Sequence, residues 1–228
     1  MEDFIQWCLS TDDNILLFIN SMHTPYFDEA MQLISGKMIW VPAYLALWWV
    51  VWKNYNWKIL LFCMLGLALT ITLSDQIVSS LIRPYVERLR PSNLQNPIAP
   101  FVHIVEGYRG GRFGFPSAHA SNTFGLAFFC FKFFRRTCLT VSIFLWAVIV
   151  CYSRMYLGVH YLGDLVVGAF IGCLCAWVVY ALLNKMANIR CQVPRHDVAL
   201  PIYTGLVVFA LIFIWSAIAV TFDLASLT

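Results

Sequence analysis

The sequence predicts an all-α integral membrane protein, a six-helix bundle preceded by an N-terminal interfacial helix. Three observations carry this. Of 228 residues, 61% are hydrophobic and 12% charged, and that charge is about half the ~25% of a soluble domain. Mean hydropathy is +0.73. Six stretches qualify, or nearly so, as the about 20 mostly apolar residues a bilayer core asks of a helix. So few charges cannot cover a water-soluble globule, and such apolarity excludes a disordered chain. A net charge of +3 gives no argument for nucleic acid as a partner. The whole chain, 1–228, reads as one domain.

Residues 1–37 form the interfacial region. Ile15, Phe18 and Met22, then Phe27, Met31 and Ile34, fall at helical spacing among acids, with Trp7 ahead of them. As a span this segment would put Asp28, Glu29 and Lys37 in hydrocarbon, which is costly. Glu2, Asp3, Asp12 and Asp13 replace the basic start of a signal peptide, so no cleavage is expected. The spans follow at Met38–Trp52, Trp57–Leu81, Ala118–Phe134, Leu139–Leu157, Tyr161–Leu183 and Pro201–Val220. The first is short and can begin nearer Ile34.

One long polar stretch, Arg83–Ser117, separates the second and third spans. Its five prolines and four glycines mark an ordered, turn-rich loop, and long loops in compact proteins tend to be functional. Cys63, Cys130, Cys151, Cys173 and Cys175 lie inside apolar runs, where they act as small hydrophobes. No Cys/His spacing of a zinc site is present.

Six spans put both termini on one side. The opposite side then carries Lys53, Lys58, Lys132, Arg135, Arg136, Lys185, Arg190 and Arg195 against one acid, Asp197. The termini side keeps seven basic and eleven acidic residues, Asp75 within the membrane included. Basic short loops mark the cytoplasm. This predicts a protein of the cytoplasmic membrane whose 83–118 segment faces outward.

Three clusters reach that outward face. They are Arg83 to Arg90-Pro91, Pro116-Ser117-Ala118-His119, and Ser153-Arg154 followed by His160 and Asp164. Arg83, Arg90 and Arg154 are fixed cations with forked donors suited to phosphate oxygens. Ser117 is a helix N-cap candidate, which would aim the Ala118 and His119 N–H groups at an anion. His160 and Asp164, four apart, share a helix face. A carboxylate beside an imidazole fixes its tautomer and leaves the other nitrogen free to attack. His119 is a second imidazole, able to protonate a leaving oxygen. A phosphoryl group is the substrate such a cradle fits best.

On these residues the chain resembles the type 2 phosphatidic acid phosphatase family, which shares its site with vanadium haloperoxidases. The family pattern is Lys-x6-Arg-Pro, then Pro-Ser-Gly-His, then Ser-Arg-x5-His-x3-Asp. The third motif matches completely; Arg83 replaces the usual Lys and Ala118 the usual Gly. The resemblance implies that His160 attacks phosphorus to form a phosphohistidine, supported by Asp164. It implies that His119 protonates the leaving group and then activates water. Arg83, Arg90, Ser117, the Ala118 N–H and Arg154 would hold the phosphate, with no metal and no cofactor. The implied partner is a membrane lipid phosphate. Undecaprenyl diphosphate ranks first, because small bacterial members of the family often act on it. Lipid A phosphates come next, with phosphatidylglycerol phosphate and phosphatidic acid as further alternatives. A haloperoxidase is the rival with the same cradle, but those enzymes are soluble. A non-catalytic lipid-binding or transport protein would not need His119, His160 and Asp164.

The other polar residues read more plainly. Arg88, Arg109 and Arg112 suit snorkelling anchors, and Tyr108, Arg109 and Arg112 are candidates to meet a headgroup. His23, His103 and His196 read as solvated. Asp164 also suits a cap for the fifth span. Ser153 is either part of the site or a hydroxyl bonded to the i−4 carbonyl. Asp75 lies eight residues before Arg83, about 12 Å along a helix. It reads as a partner for a buried arginine or as protonated core.

Overall fold

The computed structural model describes residues 2–187, 194 and 196–226. Among the described residues there are nine α-helices and no strand. They are α1 Glu2–Asn20, α2 Pro25–Ser35, α3 Val41–Asn54, α4 Trp57–Asp75, α5 Arg83–Val86, α6 Ala118–Phe134, α7 Thr137–Tyr156, α8 Leu162–Ala187 and α9 Ala199–Ser226. Local chemistry sets several starts. Thr24 caps α2 through the Phe27 N–H, with Pro25 in the first turn. Asn56 caps α4 through the Ile59 N–H, and Ser117 caps α6 through the Ala120 N–H.

Among the described residues, four runs are long and apolar enough to cross a membrane: Trp57–Val86, Thr137–Tyr156, Leu162–Lys185 and Ala199–Phe222. A fifth arises if Pro25–Ser35 and Met38–Asn54, bent by 71°, act as one. The helix α6 has 17 residues, about 26 Å of length. The second expected span runs longer than its hydropathy suggests. A π-helical stretch, Gln76–Ile82, joins α4 to α5, so helix continues to Val86 and the loop begins at Glu87, not at Arg83.

The core is built around α6, which packs on α8, α7 and α4. α8 carries Gly168 and Gly172 four apart on the face toward α6. A Cβ on Gly168 would lie 2.4 Å from the Ser117 carbonyl oxygen, and one on Gly172 would lie 2.0 Å from that of Ser121. Only glycine permits backbones this close, the small-xxx-small mode of apolar helix pairing. α9 packs on α2 and α3, while α1 rests on α7 and α8.

At the end of the bundle remote from Arg83, Lys53 in the last turn of α3 pairs with Asp197 before α9 at 2.6 Å. That contact brings two of the expected basic loops together. Two of their cations, Arg190 and Arg195, lie outside the described residues.

Candidate active site

The three sequence clusters converge. α4 and its π turn deliver Arg83, the loop after α5 delivers Arg90, the first turn of α6 delivers Ser117, Ala118 and His119, and the end of α7 delivers Arg154. Gly158 turns the chain back after α7 in the left-handed region, φ 68°. His160 thereby enters just ahead of α8 and its Asp164. A backbone bond from the Ser117 N–H to the Asp164 carbonyl, 2.9 Å, ties the start of α6 to α8.

His160 and Asp164 are fully buried. Arg90 Nη1 donates to His160 Nε2 at 2.9 Å. A guanidinium has no acceptor, so Nε2 carries the lone pair and Nδ1 the proton. Nδ1–H then faces Asp164 Oδ2 at 3.3 Å. Asp164 Oδ2 also accepts from the Tyr161 N–H at 3.1 Å, so the expected capping and orienting roles coexist. Burial first, then the charges of Arg90, Arg154 and Arg83, hold the His160 imidazole well below its usual range. It is therefore neutral, the form that can attack an electrophile.

The arginines are held from behind. Arg90 donates Nε to the Phe113 carbonyl at 3.2 Å and Nη1 to that of Val159 at 3.1 Å. Burial, then Arg154 and Arg83, lower it to about 10, which leaves it charged at neutral pH. Arg83 Nη2 donates to the Pro116 carbonyl at 3.0 Å. Arg154 donates to the Ser35 hydroxyl at the end of α2 and, at 3.4 Å, to Tyr108. The Nε atoms of Arg83 and Arg154 are buried without an acceptor among the described residues. Such donors cost free energy unless an anion or water meets them. A cavity of about 210 Å³ between Ser35, Tyr108, His119 and Arg154 is an anion-sized space beside Arg154. Burial opposes ionisation of Tyr108, but the Arg154 hydrogen bond and the charges of Arg154, Arg90 and Lys37 leave it below its usual value.

A second cavity of about 500 Å³ adjoins the first at His119 and continues past Leu67, Met64 and Cys63 between α3, α4 and α6. Lys37 and Asp75 also line it. Asp75 thus faces a cavity, and its Oδ1 accepts from the Ser79 hydroxyl at 3.5 Å. Ser153 donates to the Val150 carbonyl at 2.7 Å, the plain backbone-bonding role, at i−3 rather than i−4. Among the described residues, no three His, Cys, Asp or Glu side chains are grouped to hold a metal ion.

Several residues read as plain surface have partners. Arg88 is no snorkelling anchor: its Nη1 donates to Asp164 Oδ1 at 3.1 Å and to Asp12 Oδ2 at 2.9 Å. Arg109 staples the loop, bonded to the Ser92 carbonyl at 2.7 Å. His103 is not simply solvated; it lies 2.9 Å from Asp28 and stacks on His23 at 3.9 Å. Asp28 also accepts from the Tyr156 hydroxyl at 2.7 Å. Sequence reasoning missed Ser35 and Asp12 because they lie in a segment without a motif. The spacing of Gly168 and Gly172 was a signal that could have been read.

Comparison with known proteins identifies relatives of this chain. Residues 60–187 match a family model described as the PAP2 superfamily. A Bacteroides thetaiotaomicron protein described as lipid A 4'-phosphatase is 45% identical, over 94% of this chain and 99% of its own. A Porphyromonas gingivalis protein of the same description is 32% identical, over 88% of this chain and 85% of its own. The crystal structure of a PAP2-type phosphatidylglycerolphosphate phosphatase from Bacillus subtilis superposes with a TM-score of 0.57 at 23% identity. It covers 80% of this chain and 89% of its own, a likeness of fold.

Proposed function

The chain belongs to the PAP2 superfamily of membrane phosphatases, and on that premise we propose that it removes the 4'-phosphate of lipid A. The observation that carries the chemistry is the Arg90–His160–Asp164 chain, which leaves an unprotonated Nε2 among three guanidiniums. The expected preference for undecaprenyl diphosphate gives way to its lipid A alternative. The two relatives that align over most of their length are both described as lipid A 4'-phosphatases. The apolar cavity leading from His119 suits an acyl chain and supports a lipid over a soluble ester.

In this reading a phosphate monoester settles on Arg83, Arg90, Arg154 and the first-turn N–H groups of Ala118 and His119. Its oxygens compete for the Arg90 donor and release His160 Nε2. Nε2 attacks phosphorus, the bond from phosphorus to the sugar oxygen breaks, and His119, which takes up a proton as the anionic phosphate binds, gives that oxygen its proton. Asp164 stabilises the cationic ring. His119 then takes a proton from water, the water oxygen attacks phosphorus, the P–N bond breaks and inorganic phosphate leaves.

The assay is phosphate release by the purified protein from lipid A, undecaprenyl diphosphate, phosphatidylglycerol phosphate and phosphatidic acid, with EDTA present. Lipid A is expected to turn over fastest, and mass spectrometry of the product should show loss at the 4' position. Faster release from undecaprenyl diphosphate would overturn the substrate assignment. Loss of activity in EDTA, restored by magnesium, would point to a different chemistry.

We further propose one domain with six spans in the membrane, α3, α4–α5, α6, α7, α8 and α9, behind an interfacial N-terminal region 1–37. α1 lies at the interface, supported by exposed Ile5, Trp7 and Phe18 on a helix that buries Leu16. The active site faces outward from the cytoplasmic membrane, supported by the basic short loops at the Lys53–Asp197 end. Cysteines placed at Leu94 and at His196, both exposed, test this in a background without native cysteines. An impermeant maleimide applied to outer-membrane-permeabilised cells is expected to label Leu94→Cys and spare His196→Cys. The reverse pattern would invert the topology.

A further inference from the structure

We propose that Arg88 and Asp12 are positioning residues for the reaction, through which the N-terminal helix α1 holds the His160–Asp164 pair in register. The inference rests on the reading of His160 as nucleophile.

Asp164 has two oxygens with different tasks. Oδ2 faces the His160 ring and the Tyr161 N–H. Oδ1 takes its hydrogen bond from Arg88 Nη1 at 3.1 Å. The same nitrogen donates to Asp12 Oδ2 at 2.9 Å. The other oxygen of Asp12 accepts from the Gly163 N–H at 3.0 Å, the residue just before Asp164. One carboxylate on α1 thus grips the start of α8 twice, once through Arg88 and once through backbone. The guanidinium lies over the Tyr161 ring, 3.9 Å from its centroid, which fixes its plane. Tyr161 in turn is bonded by Asn96 and by Asp13, the neighbour of Asp12.

This is not a loose surface pair. Side-chain exposures are 18% for Arg88, 15% for Asp12 and 1% for Asp164. Surface pairs contribute little, but removing one member of a buried set leaves an uncompensated charge. The charge count matters as well. Arg88 alone on Asp164 would cancel the negative charge that must steady a cationic His160. With Asp12 sharing the guanidinium, the three groups keep a net charge of minus one beside the ring. Arg88 therefore locks the carboxylate's orientation, and Asp12 keeps that lock from neutralising it.

The test uses the full-length protein and lipid A phosphate release. Arg88→Gln and Asp12→Asn are each expected to lower kcat by about 10–100-fold, as a small misplacement of a reacting group does. KM should stay within about threefold, because neither side chain meets the phosphate. In an Asp164→Asn background, Arg88→Gln should add less than about threefold, since its target is already lost. Unchanged kcat in both single variants would overturn the proposal, as would a loss carried by KM or an equal loss in both backgrounds. If Arg88→Gln does not fold, or Asp164→Asn is too slow to follow, the kcat and KM of Asp12→Asn decide by the same criteria. A wild-type protein that releases no phosphate at all would fail the underlying reading instead.

Discussion

Replacing His160 with alanine is expected to abolish turnover, with kcat falling by at least about 10⁴-fold, while Asp164→Asn keeps a weak remainder. The difference comes from what each side chain contributes. Without His160 no nitrogen lies among the three guanidiniums to form the bond to phosphorus, and the cradle alone only binds. Asparagine at 164 can still accept the Nδ1 proton through its amide oxygen, so the tautomer is retained in part. What it loses is the charge that steadies the imidazolium. Loss of an orienting carboxylate costs up to about 10⁴-fold in a related arrangement. Acid-stable and acid-labile phosphate on the protein, followed after rapid mixing with radiolabelled substrate, checks both variants. A base-stable, acid-labile adduct should form in wild type and not in His160→Ala. Near wild-type turnover by His160→Ala would sink the covalent mechanism.

Replacing Gly172 with leucine is expected to prevent the native bundle from forming. The nearest atoms to a new Cβ are the Ser121 carbonyl oxygen at 2.0 Å, its carbon at 2.8 Å and the Ser121 Cα at 2.9 Å. All three belong to helix backbone, so no rotamer change relieves the clash. α6 and α8 would have to separate, and with them Ser117 and His119 from His160 and Asp164. The cost exceeds the about 4–5 kcal/mol that marks exceptional point substitutions. Gly205 on α9 is the control, since nothing lies within 4 Å of its Cβ position. Gly205→Ala should gain up to about 1 kcal/mol from helix propensity. Thermal unfolding in detergent, read by tryptophan fluorescence and size exclusion, separates the two. A monodisperse Gly172→Leu protein with wild-type melting would overturn the packing argument.

Much of this was legible because two kinds of signal are local. Hydropathy located the starts of the later helices within two residues; Ala118–Phe134 matches in full, while α8 and α9 run four and six residues past the expected ends. Motif spacing named every side chain around the His160 ring that carries a fixed charge, except Arg88. The misses are non-local. Asp12 is 76 residues from Arg88, and Ser35 is 119 from Arg154. No periodicity encodes such pairs; the bundle's packing creates them. The π turn at Gln76–Ile82 was equally hidden, because a run of apolar residues looks the same in either helix.

The shortness of α6 has a consequence for which molecules are served. A helix of 17 residues rises about 26 Å, a few ångströms less than the ~30 Å hydrocarbon layer. With Lys132 and Arg135 at its far end held among headgroups, as the proposed topology has them, the shortfall would fall at Ser117. The floor of the cradle would then lie beneath the plane in which most lipid phosphates float. On the proposed function such a site would work as a depth gauge, reaching a phosphate only if its carrier can sink that far and stay tethered by its chains. A water-soluble sugar phosphate bearing the same ester has no anchor to hold it there, and a bulky polar cap above the ester would jam at the rim.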